Sequence, residues 1–208
     1  MSSSMVTRSA DMFRQIFARP SQRGLRDAGY ALPLPLPLPA NAGLERRLAL
    51  VATLSRNAYG RAYEPGCGDG EITSILARRC HTVVATHERR DQIARVRRRC
   101  AHFDNVVVSR ADPSQGPPPG RYDLMILNDT GFLYSPMVLS ELAGRLAAYL
   151  QPGGELIAVH GLGSNEGHRL DGDAVHCLLG ANLPLDWTGG ARHVGFRIDR
   201  WERGGRPR

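Results

Sequence analysis

At 208 residues, the chain is long enough for one domain with a complete hydrophobic core and too short for two domains of ordinary size. Hydrophobic residues form 42% and charged residues 23% of the sequence, a balance that excludes disorder over most of the chain. No apolar run reaches the roughly 18 residues of a membrane-spanning helix. The formal net charge of +7 comes from arginine alone, because the sequence contains no lysine.

The arginines concentrate in residues 89–99 and 192–208, where they could attract nucleic acid or an anionic substrate. No aromatic residues interleave with the arginines of 89–99, so a solvated helix face is expected there in preference to a nucleic-acid platform. The four cysteines stand singly, without the spacing of a zinc site or the density of a disulfide framework. We therefore expect reduced thiols and a cytoplasmic protein.

Residues 1–40 differ from the rest of the chain. They are rich in serine and poor in acidic residues, and they end in a Leu-Pro repeat from Leu32 to Pro39. Alternating prolines exclude helix and sheet pairing, so the repeat predicts a polyproline-like spacer. We expect a mobile extension or a lid over an active site, with an organelle-targeting segment as the alternative. The catalytic domain is then expected over residues 41–208.

From Asn41 onward the pattern alternates between helix and strand. A helix over residues 44–54 precedes a strand that ends at Tyr63 and a glycine-rich turn. Further helices are predicted at residues 71–79, 90–102 and 136–150, and further strands at residues 81–86, 105–109, 122–127 and 155–160. This alternation predicts an α/β fold, Rossmann-like and doubly wound, with a mostly parallel sheet of seven strands.

The last part of the chain breaks the alternation. A short helix near residues 171–179 leads to two strand-like runs, 183–188 and 191–201, which Gly189-Gly190 separates. A Gly-Gly pair between two strands is typical of a tight hairpin turn. We therefore expect an antiparallel C-terminal hairpin beside the parallel strands.

The most informative segment runs from Tyr63 to Glu71 and reads Tyr-Glu-Pro-Gly-Cys-Gly-Asp-Gly-Glu. Its glycines, Gly66, Gly68 and Gly70, let the backbone turn sharply and approach a ligand that side chains would exclude. The acidic Glu64 precedes them, and a helix is predicted to begin directly after them. In a dinucleotide-binding fingerprint the third glycine falls later, so that pattern does not fit.

This segment resembles the first motif of class I S-adenosylmethionine-dependent methyltransferases. Residues 122–129 and 150–156 are similar to that family's fourth strand and to its loop into strand five, so the likeness covers residues 44–202. It implies S-adenosylmethionine as the cofactor. The positions it implies for cofactor binding are Glu64 at the amino end of the methionine part, the turn residues Gly66, Cys67, Gly68 and Gly70, Asp112 at the adenine amine, and Asn128.

One position departs from the family pattern. The family places an acidic residue at the end of strand two, where its two oxygens accept both ribose hydroxyls, but the aligned residue here is His87, followed by Glu88. A neutral imidazole has only one acceptor nitrogen. Three outcomes stay open: Glu88 takes the role, the cofactor is held more loosely, or the chain has lost catalysis.

Within the class, the sequence resembles the nodulation-protein-S-like group, whose characterised members N-methylate an amino sugar. The likeness rests on residues 64–67, on Asp129 with Phe132 and Tyr134 after it, and on His160 followed by residues 170–176. It implies a small-molecule acceptor, most naturally an amine. The candidate catalytic residues are Asp129 and His160, and the candidate substrate-binding residues are Tyr134, Asp173 and His176.

Methyl transfer from a sulfonium is an in-line displacement, so it needs an oriented acceptor in a dry site and no metal or covalent intermediate. An amine must be neutral to attack, so a nearby carboxylate or imidazole would take up its proton. Each candidate also has a structural alternative: Asp129 caps a turn, His160 bonds to backbone, Asp173 favours a helix start, and His176 packs in the core. The functional alternatives are O-methylation, methylation of RNA or protein, and a non-catalytic partner role.

Overall fold

The computed structural model describes residues 42–163 and 167–205. The predicted extension over residues 1–40, with its Leu-Pro repeat, lies outside the described residues. The helices are α1 (Ala42–Thr53), α2 (Glu71–Ala77), α3 (Arg90–Arg99), α4 (Pro136–Tyr149) and α5 (Gly172–Asn182). The strands are β1 (Tyr59–Pro65), β2 (Cys80–His87), β3 (Val106–Arg110), β4 (Tyr122–Asn128), β5 (Leu150–Gly161), β6 (Asp186–Arg192) and β7 (Phe196–Glu202).

The seven strands of the described chain form one sheet in the order β3-β2-β1-β4-β5-β7-β6. The strands from β3 to β5 pair in parallel, whereas β7 runs antiparallel to β5 and β6 antiparallel to β7. This topology confirms the predicted Rossmann-like sheet with its antiparallel C-terminal strands. The order also places β1 and β4 side by side, so the loops that follow them are neighbours.

The core of the sheet lies along β4, where every residue from Tyr122 to Leu127 is buried. A central parallel strand is covered on both faces, which explains its continuous apolar run. The single charged residue in that run, Asp123, is satisfied because its carboxylate accepts the backbone N–H groups of Gly60 at 2.6 Å and Arg61 at 2.7 Å. These bonds fasten the beginning of β1 to β4.

The C-terminal hairpin turns at a different place from the one predicted. Gly189 and Gly190 lie inside β6, and the chain reverses at residues 193–195 instead. Gly189 sits where the pairing register with β7 shifts, at a φ of +153°. A β-carbon on Gly190 would overlap the Asp199 carboxylate on the neighbouring strand. Gly189 thus allows a strand irregularity, and Gly190 allows the close approach of Asp199. The prediction of a turn at the Gly-Gly pair was wrong.

Strand β5 begins earlier than its predicted start at residue 155, because residues 150–154 belong to it. The N–H of Gly153 donates to the carbonyl of Arg203 at 2.7 Å, and the N–H of Arg203 donates to the carbonyl of Gly154 at 2.9 Å. These bonds extend the strand towards the C-terminal end of β7. The opposite end of β5 lies with the ends of β1, β2 and β4 at one edge of the sheet. At this edge an open α/β sheet binds its ligands. None of the helices in the described residues is long and apolar enough to cross a bilayer.

Candidate active site

The glycine-rich turn lies between the end of β1 and the start of α2, as predicted. Cys67 anchors it, because its N–H donates to the carbonyl of Thr86 in β2 at 3.0 Å. Gly68 has a φ of +52°, and nothing lies within 4 Å of the place where a β-carbon would stand. A side chain there would be strained and would project into open space beside the turn. The Cys67 thiol is buried, which raises its pKa, so it is not an activated nucleophile.

Glu64 is a buried carboxylate at the rim of this turn. Its side chain is 2% exposed and accepts the hydroxyl of Thr73 at 2.6 Å. Burial raises the pKa of Glu64 to about 8, although the bond from Thr73 acts in the opposite direction. A desolvated carboxylate of this kind gains most from a cationic partner. An ammonium group that entered the site would supply one.

A cavity of about 360 Å³ connects the turn to the end of β4 and to α1. Its walls include Glu64, Gly66, Cys67, Gly68, Asn128 and Asp129. The structure therefore brings together six of the residues predicted from sequence. Gly70 belongs to the same turn and precedes the first residue of α2.

Sequence reasoning missed Arg46, which reaches the cavity from α1. Its guanidinium donates to the Asn128 side chain at 2.8 Å and to the carbonyl of Val159 at 3.0 Å, and it pairs with the Asp129 carboxylate at 2.6 Å. Its Nε atom is buried and has no hydrogen-bond partner among the described residues. A signal was available, because Arg46 stands four residues before the buried Leu50 and so faces inward from the predicted helix.

Asp129 follows β4 directly and has a φ of +50°, the only positive value at a residue other than glycine in the described chain. Its N–H donates to the carbonyl of Val159 at 3.0 Å, and its side chain accepts the N–H of Gly161 at 3.0 Å. Such a conformation is maintained only where the surroundings impose it, and it is frequent at functional sites. The side chain is 40% exposed, so the carboxylate faces the cavity rather than the core.

The predicted ribose and adenine residues lie at neighbouring strand ends. His87 is half-buried, and its Nδ1 accepts the N–H of Arg89 at 3.0 Å, while Glu88 is exposed. Burial lowers the pKa of His87. A neutral ring in this arrangement carries its proton on Nε2, so it can donate to a ligand through that nitrogen but cannot accept. Asp112 accepts the N–H of Ser114 at 2.9 Å and caps a short 3₁₀ turn, which lowers its pKa.

Tyr134, predicted to bind substrate, directly follows the short 3₁₀ turn Gly131–Leu133 and is half-buried. Burial raises the pKa of its phenol, and the charge of Asp112 raises it further.

The structure does not bring His160, His176 or Asp173 to the cavity. His160 and His176 are 0% and 1% exposed, and the nitrogens of both rings face other protein groups. Asp173 forms ion pairs with Arg192 at 3.0 Å and Arg197 at 3.5 Å on the side of α5 that meets the hairpin. A sequence shows that a histidine follows a strand, but it does not show which groups already occupy the ring.

Comparisons with known proteins identify the family. Residues 62–154 match a methyltransferase domain family. The structure is similar to a protein from Pseudomonas syringae described as a methyltransferase, with 30% sequence identity and a TM-score of 0.68 over 77% of this chain and 97% of that chain. It is also similar to the N-methyltransferase NodS from Bradyrhizobium japonicum WM9 in complex with S-adenosyl-L-homocysteine, with 18% identity and a TM-score of 0.69 over 86% and 95% of the two chains.

A third similar structure is the StiE O-MT segment, with 15% identity and a TM-score of 0.63 over 92% of this chain and 81% of that chain. Among curated proteins, none matches the sequence. The Pseudomonas syringae protein carries the assignment, because it is 30% identical and is covered over almost its whole length. The chain therefore belongs to the class I S-adenosylmethionine-dependent methyltransferases, and S-adenosylmethionine is its cofactor.

Proposed function

We propose that this enzyme transfers the methyl group of S-adenosylmethionine to the nitrogen of a small amine, with an amino sugar as the preferred class of acceptor. The observation that carries the proposal is Asp129, a carboxylate held in a left-handed conformation at the cavity wall. Its oxygens can accept N–H donors from an amine and take up the proton that the nitrogen loses. The similarity to the N-methyltransferase NodS supports the same choice.

The methionine part of the cofactor would lie in the cavity beside the glycine-rich turn. Glu64 would hold the ammonium group of the methionine part, because this carboxylate is buried and contacts no cation in the part of the chain that the structure describes. The open face of Gly68 leaves room for the chain of the ligand. Arg46 would hold the carboxylate of the methionine part. Its Nε atom is buried and has no hydrogen-bond partner among the described residues. Asn128, the last residue of β4, accepts from Arg46 and would orient that guanidinium.

The nucleoside part would lie along the ends of β2 and β3. His87 would donate its Nε2–H to a ribose oxygen, and the exposed Glu88 would accept from a hydroxyl. Asp112 would receive the adenine amine, with Tyr134 beside it. In this assignment Tyr134 serves the cofactor rather than the acceptor.

The bound cofactor supplies an electrophilic methyl group on a sulfonium. The residues of the chain then have two tasks, which are to hold the acceptor nitrogen in line and to exclude water. Asp129 performs the first, because its backbone is fixed by Val159 and its carboxylate by Gly161 and Arg46.

The test is a methylation assay with a panel of amino sugars, simple amines and hydroxyl compounds of the same size, read by product mass and by the carbon-13 chemical shift of the new methyl group, which distinguishes N-methyl from O-methyl. We expect methyl transfer to amines and little or none to their hydroxyl counterparts. O-methylated products alone would contradict the assignment of an amine acceptor. The similarity to the StiE O-MT segment makes O-methylation the alternative to test. Absence of S-adenosylhomocysteine binding in calorimetry would instead favour the non-catalytic partner role.

A further inference from the structure

A buried line of hydrogen bonds runs from the C-terminal hairpin to the loop that carries Asp129. The Asp199 carboxylate accepts from His176 Nδ1 at 2.6 Å, and His176 Nε2 lies 3.1 Å from His160 Nδ1. The N–H of Gly131 donates to His160 Nε2 at 3.3 Å. Asp199, His176 and His160 come from β7, α5 and β5, and are 3%, 1% and 0% exposed. We call these three residues the histidine chain.

Only one arrangement of protons satisfies the histidine chain. A backbone N–H can only donate, so His160 Nε2 must be an acceptor and the ring must carry its proton on Nδ1. That proton points at His176 Nε2, which must then accept, so the second ring also carries its proton on Nδ1. The last proton points at the carboxylate of Asp199. Both rings are therefore neutral, and burial favours the same state by lowering the pKa of each.

Other groups hold the far end of the histidine chain. Asp199 also accepts from Arg197 Nε at 2.7 Å and from Trp187 Nε1 at 3.0 Å. Burial opposes the ionised form of Asp199, but the hydrogen bonds from His176 and Trp187 outweigh it and lower the pKa. Gly190 leaves the space that this carboxylate fills. The hairpin is thus shaped around Asp199.

The near end fixes residues 129–134, which we call the acceptor loop. Gly131 approaches α5 so closely that a β-carbon would lie 2.6 Å from the Val175 side chain. The ring of Phe132 stands edge-on to His160, with the centroids 5.2 Å apart. Thr130 donates its hydroxyl to the carbonyl of Pro65, at the entrance of the glycine-rich turn, at 3.0 Å. The acceptor loop is therefore tied to the cofactor turn on one side and to the histidine chain on the other.

We propose that His160, His176 and Asp199 are positioning residues, which hold the acceptor loop so that Asp129 meets the acceptor beside the cofactor turn. The role in catalysis rests on the proposed function, whereas the hydrogen-bond geometry does not depend on it. In this role neither histidine contacts the substrate, in contrast to the roles expected for His160 and His176 from the sequence. The imidazole rings act as rigid connectors with fixed polarity, and the hairpin strand β7 thereby reaches a site on the other side of β5.

The first test needs no variant. Nitrogen-15 spectra of the histidine rings at pH 7 should show His160 and His176 as neutral rings protonated on Nδ1. An Nε2–H tautomer or a charged ring at either residue would overturn the inference. This result does not depend on cofactor or acceptor, so it remains decisive if the enzyme assignment fails.

The second test breaks the histidine chain with His176→Phe. Exchange of the Gly131 amide should become on the order of tenfold faster, while the Ile126 amide in β4 keeps its rate. His176→Gln should retain slow exchange, because its amide can accept from His160 and donate to Asp199. The matched control, Trp187→Phe, removes another donor to the same carboxylate outside the chain and should leave Gly131 unchanged. Equal rates at Gly131 in all variants, or equal acceleration at Ile126, would overturn the inference.

The third test separates positioning from cofactor binding. In His176→Phe, S-adenosylhomocysteine affinity should stay within about twofold of wild type, while kcat with an amine found in the acceptor panel falls by roughly tenfold. An unchanged kcat would overturn the positioning role. Failure of the wild type to bind S-adenosylhomocysteine would count against the proposed function and would leave the ring and exchange results valid.

Discussion

Cofactor binding should release a proton from Glu64. The pKa of about 8 means that about nine-tenths of the Glu64 side chains are protonated at pH 7 in the free protein. An ammonium group favours the ionised carboxylate, so its arrival should expel about 0.9 proton at pH 7. The free-energy cost of this ionisation is about 1.4 kcal/mol, which is about a factor of ten in affinity.

Calorimetric titration with S-adenosylhomocysteine in two buffers of different ionisation enthalpy measures the released proton directly. The association constant should rise close to tenfold between pH 6 and pH 7, because deprotonation of Glu64 is coupled to binding. Glu64→Gln should abolish both the proton release and this slope, and should weaken binding. Glu71→Gln is a matched control, since Glu71 is a half-exposed carboxylate at the same cavity, where it pairs with Arg47. Equal proton release from wild type and Glu64→Gln would refute the reasoning.

The same carboxylate links stability to pH. Folding raises the pKa of Glu64 from 4.5 to about 8, so between these values the folded protein binds more protons than the unfolded chain. The contribution of Glu64 to the free energy of unfolding is therefore fully present below pH 4.5. It decreases as the pH rises from 4.5 and is lost once the pH has passed through about 8. Thermal unfolding without ligand should show a smaller decrease in Tm from pH 6 to pH 9 in Glu64→Gln than in wild type.

Three further substitutions test other parts of the site. Gly68→Leu should weaken S-adenosylhomocysteine binding by at least about 100-fold, because it strains a positive φ and fills the open face of the turn, whereas Gly144→Leu on the exposed side of α4 should not; tight binding by the first variant would contradict the assignment. Asp129→Asn should preserve cofactor affinity and lower kcat on the order of 100-fold in a steady-state assay, and full activity would remove Asp129 from the mechanism. Gly190→Ala should lower the free energy of unfolding by about 1–3 kcal/mol in urea titration, since its methyl group overlaps Asp199; an unchanged midpoint would show that β6 yields without cost.

The sheet could be predicted because each part of its pattern has a local cause. The buried run Tyr122–Leu127 and the glycine turn after Tyr63 are properties of short segments, and short helices between strands impose parallel pairing. The hairpin turn could not be placed in the same way. A Gly-Gly pair is a strong turn signal. Here, however, Gly190 lacks a side chain because the carboxylate of Asp199, nine positions away on another strand, occupies that space.

The candidate site divides along the same line. Glu64 lies at the end of β1, and Gly68 and Asp129 lie in the loops after β1 and β4, so topology alone brings them together. Arg46 comes from a helix about twenty residues before the turn. The only sequence signal for it was its position on the inward face of that helix. For His160 the residue type suggested chemistry at the acceptor, but the hydrogen bonds to its ring depend on three separate elements that no local pattern specifies.

The most direct measurement is a crystal structure of the enzyme with S-adenosylhomocysteine. We predict that the methionine part lies against the turn of residues 66–70, with its ammonium group on Glu64 and its carboxylate on Arg46. Electron density for the ligand elsewhere on the protein, with the cavity beside Gly68 closed by side chains, would contradict the account.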